Sequence, residues 1–216
     1  IRTEIKPFTY YKAEWIKDQQ NKWVYYENSS SKLNYNVTEN YIEPMKLPQY
    51  YQADDRWGAK RYGLSNMKLT GCVPTALAMA ISGLKEDVNP VQVADFLYNM
   101  TMELNTTFLG TSSLGVQEVV SQWGLNYKVI DSKEELEETL KNGTLVYGAV
   151  GHGIFVNGYS THAVLLTGYE NGKTKAFDPD NMAKTNKWYN IDDIWKERSL
   201  APEDNMTGGA FIAIYK

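Results

Sequence analysis

Cysteine is nearly absent from this chain: among 216 residues, Cys72 stands alone. A single cysteine excludes an internal disulfide and a zinc site built from several thiolates. Histidine is almost as scarce, and with only His152 and His162 a histidine-rich metal site is limited in the same way. Long apolar runs are missing: no stretch supplies the ~18 uncharged apolar residues that a membrane-spanning helix needs. Basic excess is missing as well. A net charge of −4 and a pI of about 5.3 give no electrostatic footing for nucleic acid. The chain opens at Ile1 without the basic and apolar regions of a signal peptide, so a processed, secreted protein is one expectation. Internal repeats and low-complexity tracts are lacking too.

What is present has the balance of a soluble globular protein, long enough for one large core or a core with a small appendage. Residues 1–46 differ in texture from the rest. Trp15-Ile16-Lys17 and Lys22-Trp23-Val24-Tyr25-Tyr26 are aromatic, β-prone runs set off by the polar stretches 18–21 and 27–32, a pattern that predicts one or two hairpins. This β-rich segment is either a small ligand- or wall-binding module or an extension that packs its aromatics on the main domain. Packing is preferred because about 45 residues is near the lower limit for independent folding. Pro44 and Pro48 mark the expected boundary with a second domain over 47–216. The triplets Asn36-Val37-Thr38 and Asn105-Thr106-Thr107 arise readily in an Asn-rich chain and decide nothing about glycosylation.

The middle of the chain reads as helical. Gly71-Cys72-Val73-Pro74-Thr75-Ala76-Leu77-Ala78-Met79-Ala80-Ile81 predicts a helix that is apolar on every side and therefore central, with Gly83 as its stop. Pro74 suits the first turn, where its missing N–H costs nothing. Asn89-Pro90-Val91-Gln92 predicts the next helix start, followed by an apolar stripe of Val91, Ala94, Leu97 and Tyr98. Residues 106–113 read as a loop. Val116, Val119, Val120 and Trp123 form another amphipathic helix, closed by Gly124. Leu125, Tyr127 and Val129 alternate as in a strand, and Ser132-Lys133-Glu134-Glu135 is a capping box opening a helix that Asn142-Gly143 ends. From there the signals are β. Leu145–Val150 and 163–169 are apolar runs, and Asn171-Gly172 predicts a hairpin returning through Lys173–Phe177. Residues 187–189 add a strand, Asn190 caps a short helix, and 210–215 form a last strand. Helices followed by antiparallel strands make an α+β fold.

A free cysteine is often just a small buried hydrophobe. Cys72, however, sits at a helix N-terminus, where the partial positive charge of the dipole favours a thiolate. A reactive cysteine needs a base to take its proton and a third group to orient that base. His162 opens a hydrophobic strand, a rigid mount that can still face a cleft. Asp178 follows 16 residues on, one hairpin later, where its carboxylate can fix the tautomer of the imidazole. His152 competes for the role of base, but Gly151-His152-Gly153 would orient a ring poorly. Asp180 and Asn157 compete as orienting residues. Gln52 can donate an amide N–H to a developing oxyanion, with the Cys72 N–H as second donor.

Tyr51-Gln52-Ala53-Asp54-Asp55-Arg56-Trp57, Gly71-Cys72-Val73-Pro74-Thr75-Ala76-Leu77-Ala78-Met79, Thr161-His162-Ala163-Val164-Leu165-Leu166-Thr167-Gly168-Tyr169 and Phe177-Asp178-Pro179 resemble, in order, the signature blocks of the C39-like cysteine peptidases. These are relatives of the double-glycine leader peptidases within the papain-like group. The resemblance covers about residues 45–216 and leaves 1–44 unexplained. It implies a papain-like α+β fold with a central nucleophile helix in a helical N-terminal half and an antiparallel sheet in the C-terminal half. By the resemblance, Cys72 is the nucleophile, His162 the general base and acid, Asp178 the orienting residue and Gln52 the oxyanion donor. Val73 departs from the small residue that many members carry there, which bears on the width of the cleft beside the thiol.

The reaction implied is hydrolysis of a peptide bond through a thioester, with no metal or organic cofactor. The substrate would be a peptide or protein, with cell-wall material among the options. A bacterial, secreted or cell-surface monomer without a membrane span is the accompanying expectation. Two other readings stand beside this one: a papain-like cell-wall amidase or transpeptidase, and a catalytically silent binding module of the same fold. The cleft walls that set specificity are expected in residues 104–113 and 151–160.

Overall fold

The computed structural model of the chain describes residues 15–17, 23–27, 31–33, 41–101, 103 and 110–216. Two compact units divide it, residues 1–39 and 40–216. In the first, β1 (Trp15–Lys17), β2 (Trp23–Glu27) and β3 (Ser31–Leu33) form an antiparallel sheet in that order, with Trp15 opposite Tyr25 and Tyr25 opposite Leu33. The hairpins expected of the aromatic runs are therefore present. The two Asn-x-Thr triplets and residues 104–109 of the expected cleft wall lie outside the described residues.

The larger unit begins with β4 (Tyr41–Ile42), β5 (Arg61–Tyr62), β6 (Ser65–Asn66) and the short helix α1 (Met67–Thr70). Its helical layer continues with α2 (Cys72–Leu84), α3 (Pro90–Met100) and α4 (Ser113–Gln122). Next come β7 (Asn126–Ile130), α5 (Lys133–Lys141), β8 (Leu145–Val150), β9 (His162–Glu170) and β10 (Lys173–Phe177). The chain closes with β11 (Lys187–Asn190), α6 (Ile191–Lys196), a 3₁₀ turn at Pro202–Asn205 and β12 (Phe211–Tyr215). The main sheet is antiparallel with strand order β11-β10-β9-β8-β12-β7, and β4 adds to the far end of β9. That pairing draws the segment around Pro44 and Pro48 into the larger unit, so the division falls before the expected boundary. Among the described residues no helix is long and apolar enough to cross a membrane.

Helix α2 packs on β9, α3 and α4. Val73 through Ile81 are all buried, which accounts for a sequence apolar on every side. Leu77, Met79 and Ile81 are at most 1% exposed, and each such side chain contributes about 1.5–3 kcal/mol of transfer free energy. Helix α5 also packs on β9, and every residue of β9 between His162 and Glu170 is buried, as a strand covered on both faces requires. The caps follow local chemistry. Asn89 Oδ1 accepts from Val91 N and Gln92 N, and Gln92 Oε1 accepts from Asn89 N at 2.9 Å, closing the box read from the sequence. Ser132 Oγ accepts from Glu135 N, while the Glu135 carboxylate reaches Asp131 N instead of the cap itself.

Four local expectations are revised. The buried stripe of α3 is Val93, Ala94 and Leu97, and Tyr98 is exposed, because α2 and α4 meet a face rotated by one residue. In β7, Tyr127 faces solvent and Ile130 the core, since this strand is the sheet's edge. Gly83 does not stop α2, which runs to Leu84. Asn190 stands at the cap position of α6 but makes no side-chain cap bond.

Asn171 and Gly172 adopt φ of 48° and 79°, the left-handed pair a two-residue hairpin turn needs. Between this turn and the sheet proper the pairing of β9 with β10 shifts. Lys173 stands opposite Glu170, but Lys175 stands opposite Thr167, so β9 carries one extra residue.

Candidate functional site

Cys72 stands where α1 gives way to α2. Gly71 caps both helices: its N–H donates to Met67 O at 2.8 Å, and its carbonyl accepts from Thr75 N at 3.1 Å. A side chain at Gly71 would put its Cβ 2.4 Å from Met67 O, so the abrupt join of the two helices demands glycine here. Up to Ile81, Cys72 is the only residue of α2 that is not buried. The helix is thus anchored in the core from Val73 to Ile81 and presents the thiol at its N-terminal end. Val73 points into that core, being 5% exposed.

His162 begins β9, opposite Val150 of β8. Its Nε2 lies 2.8 Å from Asp178 Oδ1, with the two side chains 11% and 1% exposed. That Oδ1 also accepts from the backbone N–H of Asp180 at 2.8 Å and of Asn181 at 3.1 Å. An oxygen already accepting two N–H groups acts as an acceptor, so Nε2 donates to it and Nδ1 is the ring nitrogen that remains. The Cys72 side chain is near enough to the imidazole to favour its protonated form. Burial alone pulls the His162 pKa down, but the hydrogen bonds and charges of Asp178 and Cys72 outweigh it and raise it to about 10.

Gln52 is 5% exposed and doubly tied. Its backbone N–H donates to Pro179 O at 2.8 Å, next to Asp178. Its side-chain Nε2 donates to Lys68 O at 2.8 Å, in the helix that leads into Cys72. A carbonyl can only accept, which fixes the amide with its nitrogen toward α1 and leaves one Nε2–H for a further acceptor. Tyr62 and Tyr147 are buried as well. Burial holds both phenols well above their ordinary pKa, and Tyr62 is hydrogen-bonded to Thr111 Oγ1 at 2.6 Å.

The rival residues fall elsewhere. His152 is exposed, and its Nδ1 accepts from Gly158 N at 3.2 Å, closing its own loop. Asp180 and Asn157 are exposed. Sequence reading missed Thr185, whose hydroxyl accepts from Asp178 N and donates to Asp178 O, both at 2.9 Å, clamping the carboxylate's backbone. It also missed Glu197, which accepts from Ile154 N at 2.7 Å and so anchors the expected cleft wall over 151–160. Neither carries a local signal: one lies across a turn from its partner, the other 43 residues along the chain.

Among known proteins, the model of the Peptidase_C39 like family matches residues 44–207. A solved structure assigned as a C39-like peptidase from Bacillus anthracis is 16% identical with a TM-score of 0.53, over 78% of this chain and 94% of that one. The peptidase domain of Streptococcus ComA, a bifunctional ABC transporter involved in quorum sensing, is 17% identical with a TM-score of 0.48, over 73% of this chain and 96% of that one. A double glycine motif protease from an AMS/PCAT transporter, solved with its leader peptide, is 17% identical with a TM-score of 0.47, over 80% and 91%. No curated protein matches.

Proposed function

The chain belongs to the Peptidase_C39-like family and has an α+β papain-like fold, and on that premise we propose that it is a cysteine peptidase in which Cys72, His162 and Asp178 act as a triad. The observation that carries this reading is the 2.8 Å hydrogen bond between His162 and Asp178, with Cys72 beside the imidazole, the thiol mounted on the end of a buried helix and the ring at the start of a buried strand.

In this reading the Cys72 proton passes to His162 Nδ1, and Sγ attacks the carbonyl carbon of the peptide. The C–S bond forms as the carbonyl becomes an oxyanion. When that intermediate collapses, the C–N bond breaks and the proton on Nδ1 goes to the leaving amine. Water then attacks the thioester, returning a proton to His162, and hydrolysis regenerates the thiol. Asp178 accepts from Nε2 throughout, holding the ring in one tautomer and balancing its charge. The Cys72 N–H has no acceptor within its own helix, being in the first turn, and with the second Nε2–H of Gln52 it forms the oxyanion site. No step draws on a metal or organic cofactor.

Labelling with iodoacetamide tests the reading. Cys72 alkylates rapidly in the native protein, and His162→Ala slows the reaction by at least ~10-fold near neutral pH, since the partner that takes the thiol proton is gone. Slow labelling that is unchanged in His162→Ala would mark an inert thiol and a silent module of the same fold. Gln52→Ala is expected to lower kcat by ~10²–10³-fold with little change in KM. Gln52→Glu should do the same, because a carboxylate has no N–H to offer. Steady-state kinetics on a cleaved peptide from a library screen checks both.

A further inference from the structure

The two-residue turn at Asn171 and Gly172 would, on its own, build the wrong site. It pairs Lys173 with Glu170. Continued along the strands, that register sets Asp178 opposite Leu165. Residues that face each other across an antiparallel pair point to the same face, and faces alternate along a strand. Asp178 would then share a face with Leu165 and Ala163 and lie on the reverse of the sheet from His162. The observed pairs are Lys175 with Thr167, Ala176 with Leu166 and Phe177 with Leu165. Extended one residue past the last pair, that register sets Asp178 opposite Val164, and Val164 and His162 share a face. The bond of 2.8 Å between His162 and Asp178 follows from that shift.

The extra residue is accommodated at Gly168, whose φ is +74°. That conformation strains any residue with a Cβ. Space excludes a Cβ too: built there, it would lie 2.7 Å from Pro44 Cγ and 2.8 Å from Pro44 Cα and N. Two of those atoms are backbone and cannot swing aside. The segment around Pro44 clamps the shifted stretch from both ends. Ile42 pairs with Tyr169, and Met45 N donates to Thr167 Oγ1 at 2.9 Å.

We infer that Gly168 is a positioning residue for the reaction: the bulge it permits turns Asp178 to the face of the sheet that carries His162. The inference rests on the triad reading for its catalytic meaning, although its geometric content can be tested without it. Two variants of the full chain separate register from general structure. Gly168→Val cannot hold the bulge, so β10 loses its productive register. The expected results are a fall of about 10²-fold or more in kcat with KM little changed, loss of the low-field proton resonance of His162 Nε2–H, and a drop in the His162 pKa from about 10 toward its ordinary 6.5. Deleting Gly168 has the opposite effect on the site. Thr167 then directly precedes Tyr169 in unbroken pairing, Lys175 stays opposite Thr167, and the resonance and high pKa are retained.

A glycine needed only for stability would lower the melting temperature in both variants and leave His162 unchanged in each. A folded Gly168→Val protein that keeps the resonance and the high pKa therefore overturns the inference. If Gly168→Val does not fold, the deletion decides: a deletion variant that fails to fold, or folds without the resonance, also overturns it. A wild-type protein that shows the resonance but cleaves no peptide would sink the peptidase reading and leave the positioning role of Gly168 intact.

Discussion

If Cys72 is the nucleophile of the proposed peptidase, Cys72→Ala is expected to abolish peptide hydrolysis, with a loss of at least ~10⁴-fold in kcat. The size follows from the site having one nucleophile: Cys72 is the only thiol in the chain, so no second group can form the thioester. The fold should survive, because Cys72 is the one residue in the first part of α2 that the core does not enclose. The measurement is a peptide-library digest of wild type and variant prepared side by side, with melting curves for both. Cleavage that persists in the folded variant would place the activity elsewhere. Inactivity of both folded proteins toward peptides, with rapid alkylation of wild-type Cys72, would instead favour an acyl donor from the cell wall.

Asp178→Ala is expected to lower kcat/KM by ~10²–10⁴-fold and to change its pH profile. The substitution removes the acceptor of His162 Nε2–H. Burial, which by itself lowers the pKa of the ring, is then opposed only by Cys72. The alkaline limb of the profile, where the acid that protonates the leaving amine is lost, moves down from about pH 10 toward the ordinary histidine range. Asp178→Asn separates the two contributions: it keeps an acceptor oxygen for the ring and for the N–H groups of Asp180 and Asn181 but drops the charge. It should retain more of kcat than Asp178→Ala while the alkaline limb still falls. Equal loss in both variants would assign the effect to charge alone. An alkaline limb that stays put in both would detach Asp178 from His162.

The same linkage has a sign for stability. The folded pKa of His162, about 10, lies above its unfolded value of 6.5. The interactions that hold the imidazolium therefore stabilise the fold fully below about pH 6.5 and fade as the pH rises toward 10. Melting temperatures of wild type and Asp178→Ala should differ most at the acid end of that window and converge toward its alkaline end.

The helices and turns were legible because their signals are local. The Asn89 and Ser132 caps bond groups two or three residues away, and the left-handed pair at Asn171 and Gly172 is a property of those two residues. The all-apolar run after Cys72 implied a buried central helix, since no exposed helix tolerates that composition. Cys72, His162, Asp178 and Gln52 were legible as candidates because each stands at the end of an element, where a side chain is mounted rigidly yet can face a cleft. Tyr98 and Tyr127 were misjudged because periodicity gives the spacing of a stripe but not which of its residues a neighbouring element covers.

That a hairpin could bring Asp178 to His162 was readable from their spacing, but the register that sets them on one face was not. The hairpin turn, read alone, gives the register that would put Asp178 and His162 on opposite faces. The corrected register depends on Pro44 and Met45 lying against Gly168 and Thr167, contacts that span more than half the chain and leave no periodic trace. Thr185 and Pro179, which hold Asp178 and Gln52 in place, are likewise contacts of the assembled fold. Local chemistry therefore set which elements form and which residue types they carry at their ends. The face on which those residues meet came from packing, because a shift of one residue costs a strand little locally and reverses the direction of every side chain beyond it.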